Sequence, residues 1–134
     1  MLHGDSGEDM KLTVVRVDNA APARDPNNPS APELPLRLGY RLVAIHVLVK
    51  NTGGVPFLGD IEKHTWLVDK AGHTYPRNEE MTDGRQLHPA STLHPESWNG
   101  RVVVFEIKGD IEITRFRLSL HPGSATQTQD WRLT

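Results

Sequence analysis

Seven of the 134 residues are histidine, and there is no cysteine. Three histidines share one frame, Leu-His-Pro-x-Ser, at Leu87-His88-Pro89-Ala90-Ser91, Leu93-His94-Pro95-Glu96-Ser97 and Leu120-His121-Pro122-Gly123-Ser124. Imidazole supports two kinds of chemistry here. The neutral ring ligates zinc or copper, and protonation near pH ~6.5 makes it a proton sensor. The frame is also ordinary turn chemistry: an apolar anchor, a residue that the next proline holds extended, the proline, then a polar residue. From the residues alone both uses remain open.

Other chemistry finds less support. Glu62 and the adjacent Glu79-Glu80 supply carboxylates, but no spacing fixes a pair for acid–base work. Ser97 and Ser124 follow histidines closely, yet neither stands in a nucleophile-elbow context. Gly53-Gly54 lacks the lysine-serine pair and following helix of a phosphate loop. Without cysteine, disulfides, thiolate catalysis and cysteine-ligated zinc are all excluded. The expectation is a protein that is not an enzyme and needs no cofactor.

Composition bounds the partners. The net charge is -2 and the pI near 6.4, which leaves no basic surface for nucleic acid. No apolar run approaches the ~20 residues of a membrane helix. Residues 1–10 are polar and Gly/Asp-rich, do not form a signal peptide as they stand, and are expected to be a disordered extension. Residues 11–134 suffice for one domain with a sizeable core.

The elements that must position these residues read as strands. The longest run, Leu38 to Asn51, has no internal proline and alternates with period 2. Val43, Ile45, Val47 and Val49 form its apolar face, and Tyr40, Leu42, Ala44, His46, Leu48 and Lys50 the mixed one. It is the expected central strand. Residues 11–18 come before it, with Thr13, Val15 and Val17 expected on one face and Leu12 and Val14 on the other. Between these strands, prolines 22, 26, 29, 32 and 35 predict an exposed, extended connection. Thr65–Asp69 and His73–Tyr75 predict a hairpin closed by Lys70-Ala71-Gly72. Gly100–Ile107, Thr114–Leu120 and a strand ending Trp131-Arg132-Leu133 complete the set. No segment keeps a helical period. About seven or eight short strands predict an antiparallel β-sandwich.

Several short motifs in this order carry a resemblance. Lys50-Asn51-Thr52-Gly53 ends the central strand, Leu67 to Gly72 is an L-V-D-x-x-G hairpin, and Pro95-Glu96-Ser97 leads into Gly100 to Glu106, G-x-V-V-F-E. The chain resembles the DUF4352, or telokin-like, family of bacterial immunoglobulin-like domains, over roughly residues 11–133. In that family a glycine usually separates the proline from the glutamate; here Pro95 meets Glu96 directly. The resemblance implies an immunoglobulin-like β-sandwich in an exported or envelope-attached protein, and it carries over no catalytic residues. It implies a non-enzymatic binding or interaction module whose partner is an unknown protein or small ligand. The alternative is a histidine-based metal-binding or metal-responsive protein.

The motif residues have physical roles of their own. Asn51 and Gly53 are expected in a turn of positive φ, Asp69 to hold turn N–H groups, Gly72 to take the left-handed position, and Gly100 to mark a bulge. Strand parity adds a placement. If each strand crosses the sandwich once, connections 51–64, 78–99 and 121–125 share one end, which gathers His64, His88, His94 and His121 as candidate metal ligands. Ile45, Val47, Phe105 and Leu118 should share the core. The outer face of the central strand, with Tyr40, Leu42 and Leu48, is more apolar than a free surface needs and should be covered, by the proline-rich connection or by a second copy in a homodimer.

Overall fold

The computed structural model describes residues 2–3, 9–19, 38–56, 64–79, 82, 93–119 and 128–133. Eight strands are found among them: β1 (Leu2–His3), β2 (Asp9–Asp18), β3 (Tyr40–Asn51), β4 (Thr65–Asp69), β5 (Thr74–Pro76), β6 (Trp98–Lys108), β7 (Ile113–Ser119) and β8 (Thr128–Arg132). They form two antiparallel four-stranded sheets, ordered β1-β2-β3-β6 and β5-β4-β7-β8. The molecule is an antiparallel β-sandwich, as the alternating pattern predicts.

The central strand earns its place by its pairing. β3 runs unbroken against β6 from Tyr40↔Lys108 to Lys50↔Trp98, so its inward valines face the inward side chains of β6. Val43, Ile45, Val47 and Val49 meet Val103, Phe105 and Ile107 from the same sheet and Leu67, Phe116 and Leu118 from the other. The expected quartet of Ile45, Val47, Phe105 and Leu118 is indeed buried in one cluster. Phe105 meets Phe116 edge-on across the two sheets, with ring centroids 6.3 Å apart. Phe116 in turn lies against Trp131 of β8 at 6.0 Å, which ties the last strand to the core.

Three expectations about the strands need correction. Strict alternation in β2 puts Val17 with Val15, but the register slips between Val14 and Arg16. The extra residue is Val15, which is 59% exposed, and the slip returns Val17 to the core side with Leu12 and Val14. Gly100 marks no bulge; it pairs in register with Leu48. The structured chain also begins earlier than residue 11: Leu2–His3 pairs with Met10 and Asp9, and Met10 is a core residue because strand β2 extends back to reach it.

The turns follow the side chains. Asp69 Oδ1 accepts N–H bonds from Ala71 and His73, both at 2.9 Å, and Gly72 at φ 90° takes the left-handed position, as expected. After β3 the expected positive φ at Asn51 or Gly53 is absent. Instead the buried amide of Asn51 turns the chain: Oδ1 accepts the Gly53 N–H at 3.0 Å, and Nδ2 donates to the carbonyls of Val55 and Leu93 at 2.8 and 2.9 Å. A side chain meeting the local backbone replaces the strained backbone conformation.

The outer face of β3 and β6 has its own small core of Leu42, Ala44 and Val104, with Val102 against it. Leu42 and Ala44 are buried, whereas Tyr40 and Leu48 are half-buried. Part of this region is closed by the chain after β5. Asn78 N–H donates to the Val104 carbonyl at 2.7 Å, and the Thr82 hydroxyl accepts the Val104 N–H at 2.9 Å. A single threonine thereby satisfies an edge group of β6 as a neighbouring strand would. The proline-rich connection lies outside the described residues.

Candidate functional site

Arg41, at the start of β3, donates to the Ile111 carbonyl just before β7, and Lys70, just after β4, donates to the Glu112 carbonyl, so β3 starts at the end of the sandwich where β4 finishes. Asn51 pairs with Met10, Lys50 with Trp98, and Thr65 with Leu118, so the end of β3 and the starts of β4 and β6 share one end of the sandwich. His64, just before Thr65, and His94, in the turn leading to β6, belong to that end. His88 and His121 lie outside the described residues. Among the described residues no three His, Asp or Glu side chains are grouped to hold a metal ion.

His73 and His46 serve locally. His73 Nδ1 lies 3.3 Å from Asp69 Oδ2 beside the hairpin turn. His46 Nε2, on the outer face of β3, lies 3.3 Å from Asp18 Oδ2 and 3.3 Å from Arg16 Nη2, while Arg16 donates to Asp18 at 2.8 Å. The Arg16 guanidinium, and after it His46, hold the Asp18 carboxyl below its usual range. The bulge at Val15 brings Arg16 opposite His46 in the first place.

The opposite end holds a cleft of about 390 Å³ that the sequence did not single out. Its lining includes Tyr40, Tyr75, Arg77, Asn78, Glu106 and Lys108. Both tyrosines of the chain are in it. Pro76 and Ile111 add apolar wall. Three of these residues follow from one register. Tyr40 and Lys108 are direct cross-strand partners, and Glu106 sits two residues along on the same outer face. The facing wall is the chain leaving β5, which crosses the edge of β6 where Asn78 bonds Val104.

Two hydrogen-bond clusters hold the cleft in shape. Arg41 Nη1 donates to the carbonyls of Lys108 and Gly109 at 3.0 and 3.1 Å, and its Nη2 donates to that of Ile111 at 2.8 Å. Gly109 N–H donates to the Gly39 carbonyl at 2.8 Å, and Gly39 stands at φ 82°, so the turn before Tyr40 is clipped to the turn after Lys108. On the other wall the Tyr75 hydroxyl donates to Asp69 Oδ2 at 2.7 Å. That bond holds the Asp69 carboxyl below its ordinary range and, with burial and the charges of Asp69 and Asp110, pushes the Tyr75 phenol up. Tyr75 is thus a neutral phenol fixed at its far end, and its ring is a fixed wall.

Chemically the cleft offers two aromatic side chains, two cations, one carboxylate and one amide. Its volume falls in the range of small-ligand pockets. A lone carboxylate, Glu106, does not make the paired carboxylates of a glycoside hydrolase, and no serine or histidine lines the cleft among the described residues. The arrangement offers stacking, ion pairing and hydrogen bonding to a small ligand. Sequence reading missed it because the tyrosines stand 35 residues apart and share no motif; only the Tyr40↔Lys108 register, knowable from the pairing of two strong strands, hinted at it.

No family model matches the chain. No curated protein sequence matches it either. Solved structures do resemble it. The secreted protein MPT63 of Mycobacterium tuberculosis superposes with a TM-score of 0.63 over 98% of this chain and 88% of its own, at 12% identity. YcdA of Bacillus subtilis, a candidate lipoprotein, gives 0.62 over 95% of this chain at 15% identity, and this chain spans 38% of it. A conserved hypothetical protein from Bacillus anthracis gives 0.58 over 81% of this chain and 80% of its own, at 16% identity. No helix among the described residues is long and apolar enough to cross a membrane. The chain shares its β-sandwich fold with a secreted protein and a candidate lipoprotein.

Proposed function

We propose that this domain is a non-enzymatic ligand-binding module that works outside the cytoplasm, secreted or attached to the envelope. The observation that carries the reading is the cleft holding both tyrosines, walled by Tyr40 and Lys108 on one side and by Tyr75, Arg77 and Asn78 on the other. Recognition sites combine aromatic or apolar walls with a few placed polar groups, and held walls lose less entropy on binding. Here Arg41 and Asp69 do the holding. The extracytoplasmic placement is supported by the secreted and lipoprotein-type neighbours of the same fold.

The test is a ligand screen by NMR on the full chain, using mixed small molecules, sugars and short peptides. Binders should move the backbone resonances of Tyr40, Tyr75 and Lys108 and spare those of Asn51 and Trp98 at the other end. Tyr40→Ala should weaken such binders while leaving the fold intact. A screen in which no compound moves the cleft resonances rejects the reading.

A further inference from the structure

Resting on the cleft as a binding site, we infer that its ligand is an acidic saccharide: a pyranose ring with free hydroxyls and a carboxylate one bond from the ring. Three placements lead there. Tyr40 and Lys108 are cross-strand partners on one face, which sets an aromatic side chain and an ammonium side by side, with Cβ atoms roughly 5 Å apart. A sugar whose C–H face lies on the ring would put a carboxylate borne directly on that sugar at the ammonium. The Lys108 ammonium makes no hydrogen bond or ion pair among the described residues, so its charge is available to a ligand.

The second placement is Glu106, two residues from Lys108 on the same face and therefore roughly 6.5 Å along the strand. A carboxylate only accepts hydrogen bonds, and adjacent ring hydroxyls only need to donate to it. The third is the opposite wall, where Arg77 and Asn78 present planar groups rich in N–H donors, with the amide oxygen as an acceptor. Ring hydroxyls can donate to the Glu106 carboxylate and accept from the Asn78 amide, contacts that a ligand lacking hydroxyls cannot make. A phosphate ester fits less well, because Glu106 would stand close to its double charge. A neutral sugar leaves Lys108 unanswered.

The binding is non-covalent, so calorimetry and NMR read it directly. The probes are digalacturonic acid, its dimethyl ester, and 4-hydroxybenzoate, each titrated into the full chain. Digalacturonic acid should move Tyr40, Glu106 and Lys108 resonances and bind at least about tenfold more tightly than the ester, the difference shrinking as salt rises. Lys108→Ala, at an exposed strand end, should keep its melting temperature and bind acid and ester alike. Equal affinity of acid and ester for the unaltered chain would overturn the carboxylate assignment. Binding of 4-hydroxybenzoate as tight as digalacturonic acid would overturn the saccharide. If neither sugar moves the cleft while another compound from the screen does, the ligand class is wrong and the binding module stands. If nothing moves it, both fall.

Discussion

The backbone N–H of Glu96 donates to the carbonyl of Asn51 at 2.8 Å, and Glu96 makes that bond from φ 66°, a left-handed conformation costly for a side chain with a Cβ. The turn around it, closed by Ser97 N–H to His94 carbonyl at 3.0 Å with Pro95 second and Glu96 third, is the kind that favours glycine in third place. Because no glycine follows Pro95, the left-handed position falls to a glutamate. Its exposed carboxylate lies 3.4 Å from Lys50 Nζ, which itself sits 5.1 Å from the Trp98 ring centre. An exposed pair of this kind offsets little.

Comparing two substitutions isolates the backbone cost. Glu96→Ala and Glu96→Gly both lose the Lys50 pair, and only glycine relieves the left-handed strain. At an ordinary position alanine is the more stable by roughly 0.4–1 kcal/mol. Here the order should invert, with Glu96→Gly more stable than Glu96→Ala by about 1 kcal/mol in urea melts. The ordinary order would mean that Glu96 carries no strain.

The core contact between the sheets should be expensive to lose. Phe105 is fully buried and meets Phe116 across the interface, so Phe105→Ala removes transfer energy and leaves a cavity. A loss of about 3–5 kcal/mol is expected in chemical denaturation, with far-UV circular dichroism still showing β structure. A neutral substitution would refute the packing described.

Acid should weaken the fold through named aspartates. Asp69 is held below its ordinary pKa first by the Tyr75 hydroxyl, and Asp130 first by the Arg117 guanidinium, which donates to it at 2.7 and 3.0 Å. A carboxyl depressed in the native state stabilises above the unfolded value of about 3.9, and that share is lost as pH falls through the lower native value. Stability should therefore decline below about pH 4, and Asp69→Asn should make the decline shallower. An acid limb unchanged in Asp69→Asn would leave Asp130 and Asp18 as its source. Tyr75→Phe tests the same link from the other partner and should likewise flatten it.

The histidines are expected to serve the turns and not to hold a metal tightly. Protein purified, loaded with zinc and dialysed should retain no stoichiometric metal, and chelation should leave the melting temperature unchanged. Zinc that survives dialysis and is lost in His64→Ala or His94→Ala would establish the histidine site instead. His88→Ala and His121→Ala extend the same measurement to the other two candidates.

Much of the architecture was legible because it depends on short-range rules. Period-2 alternation identified β3, β6 and β7, since burial on one face of a strand forces every second side chain inward. Asp69 and Gly72 announced their hairpin because the turn is made by its own residues. The proline-to-glutamate step at 95–96 could be noticed in the sequence, and the structure gives it a physical meaning.

What the sequence determined by itself was therefore the fold class, the strand faces away from bulges, the core quartet and the alternation of strand ends. What tertiary structure alone decided was everything resting on long-range register. The slip at Val15 reversed the face of Val17, because pairing to β3 outweighed strict alternation. The amide of Asn51 replaced a positive φ, because the Leu93 carbonyl arrives beside it from 42 residues away. The cleft exists because β3 and β6 pair Tyr40 with Lys108 while the chain after β5 crosses the β6 edge. No local periodicity encodes such a meeting; it is set when two faces bury each other and the sheet edges are closed.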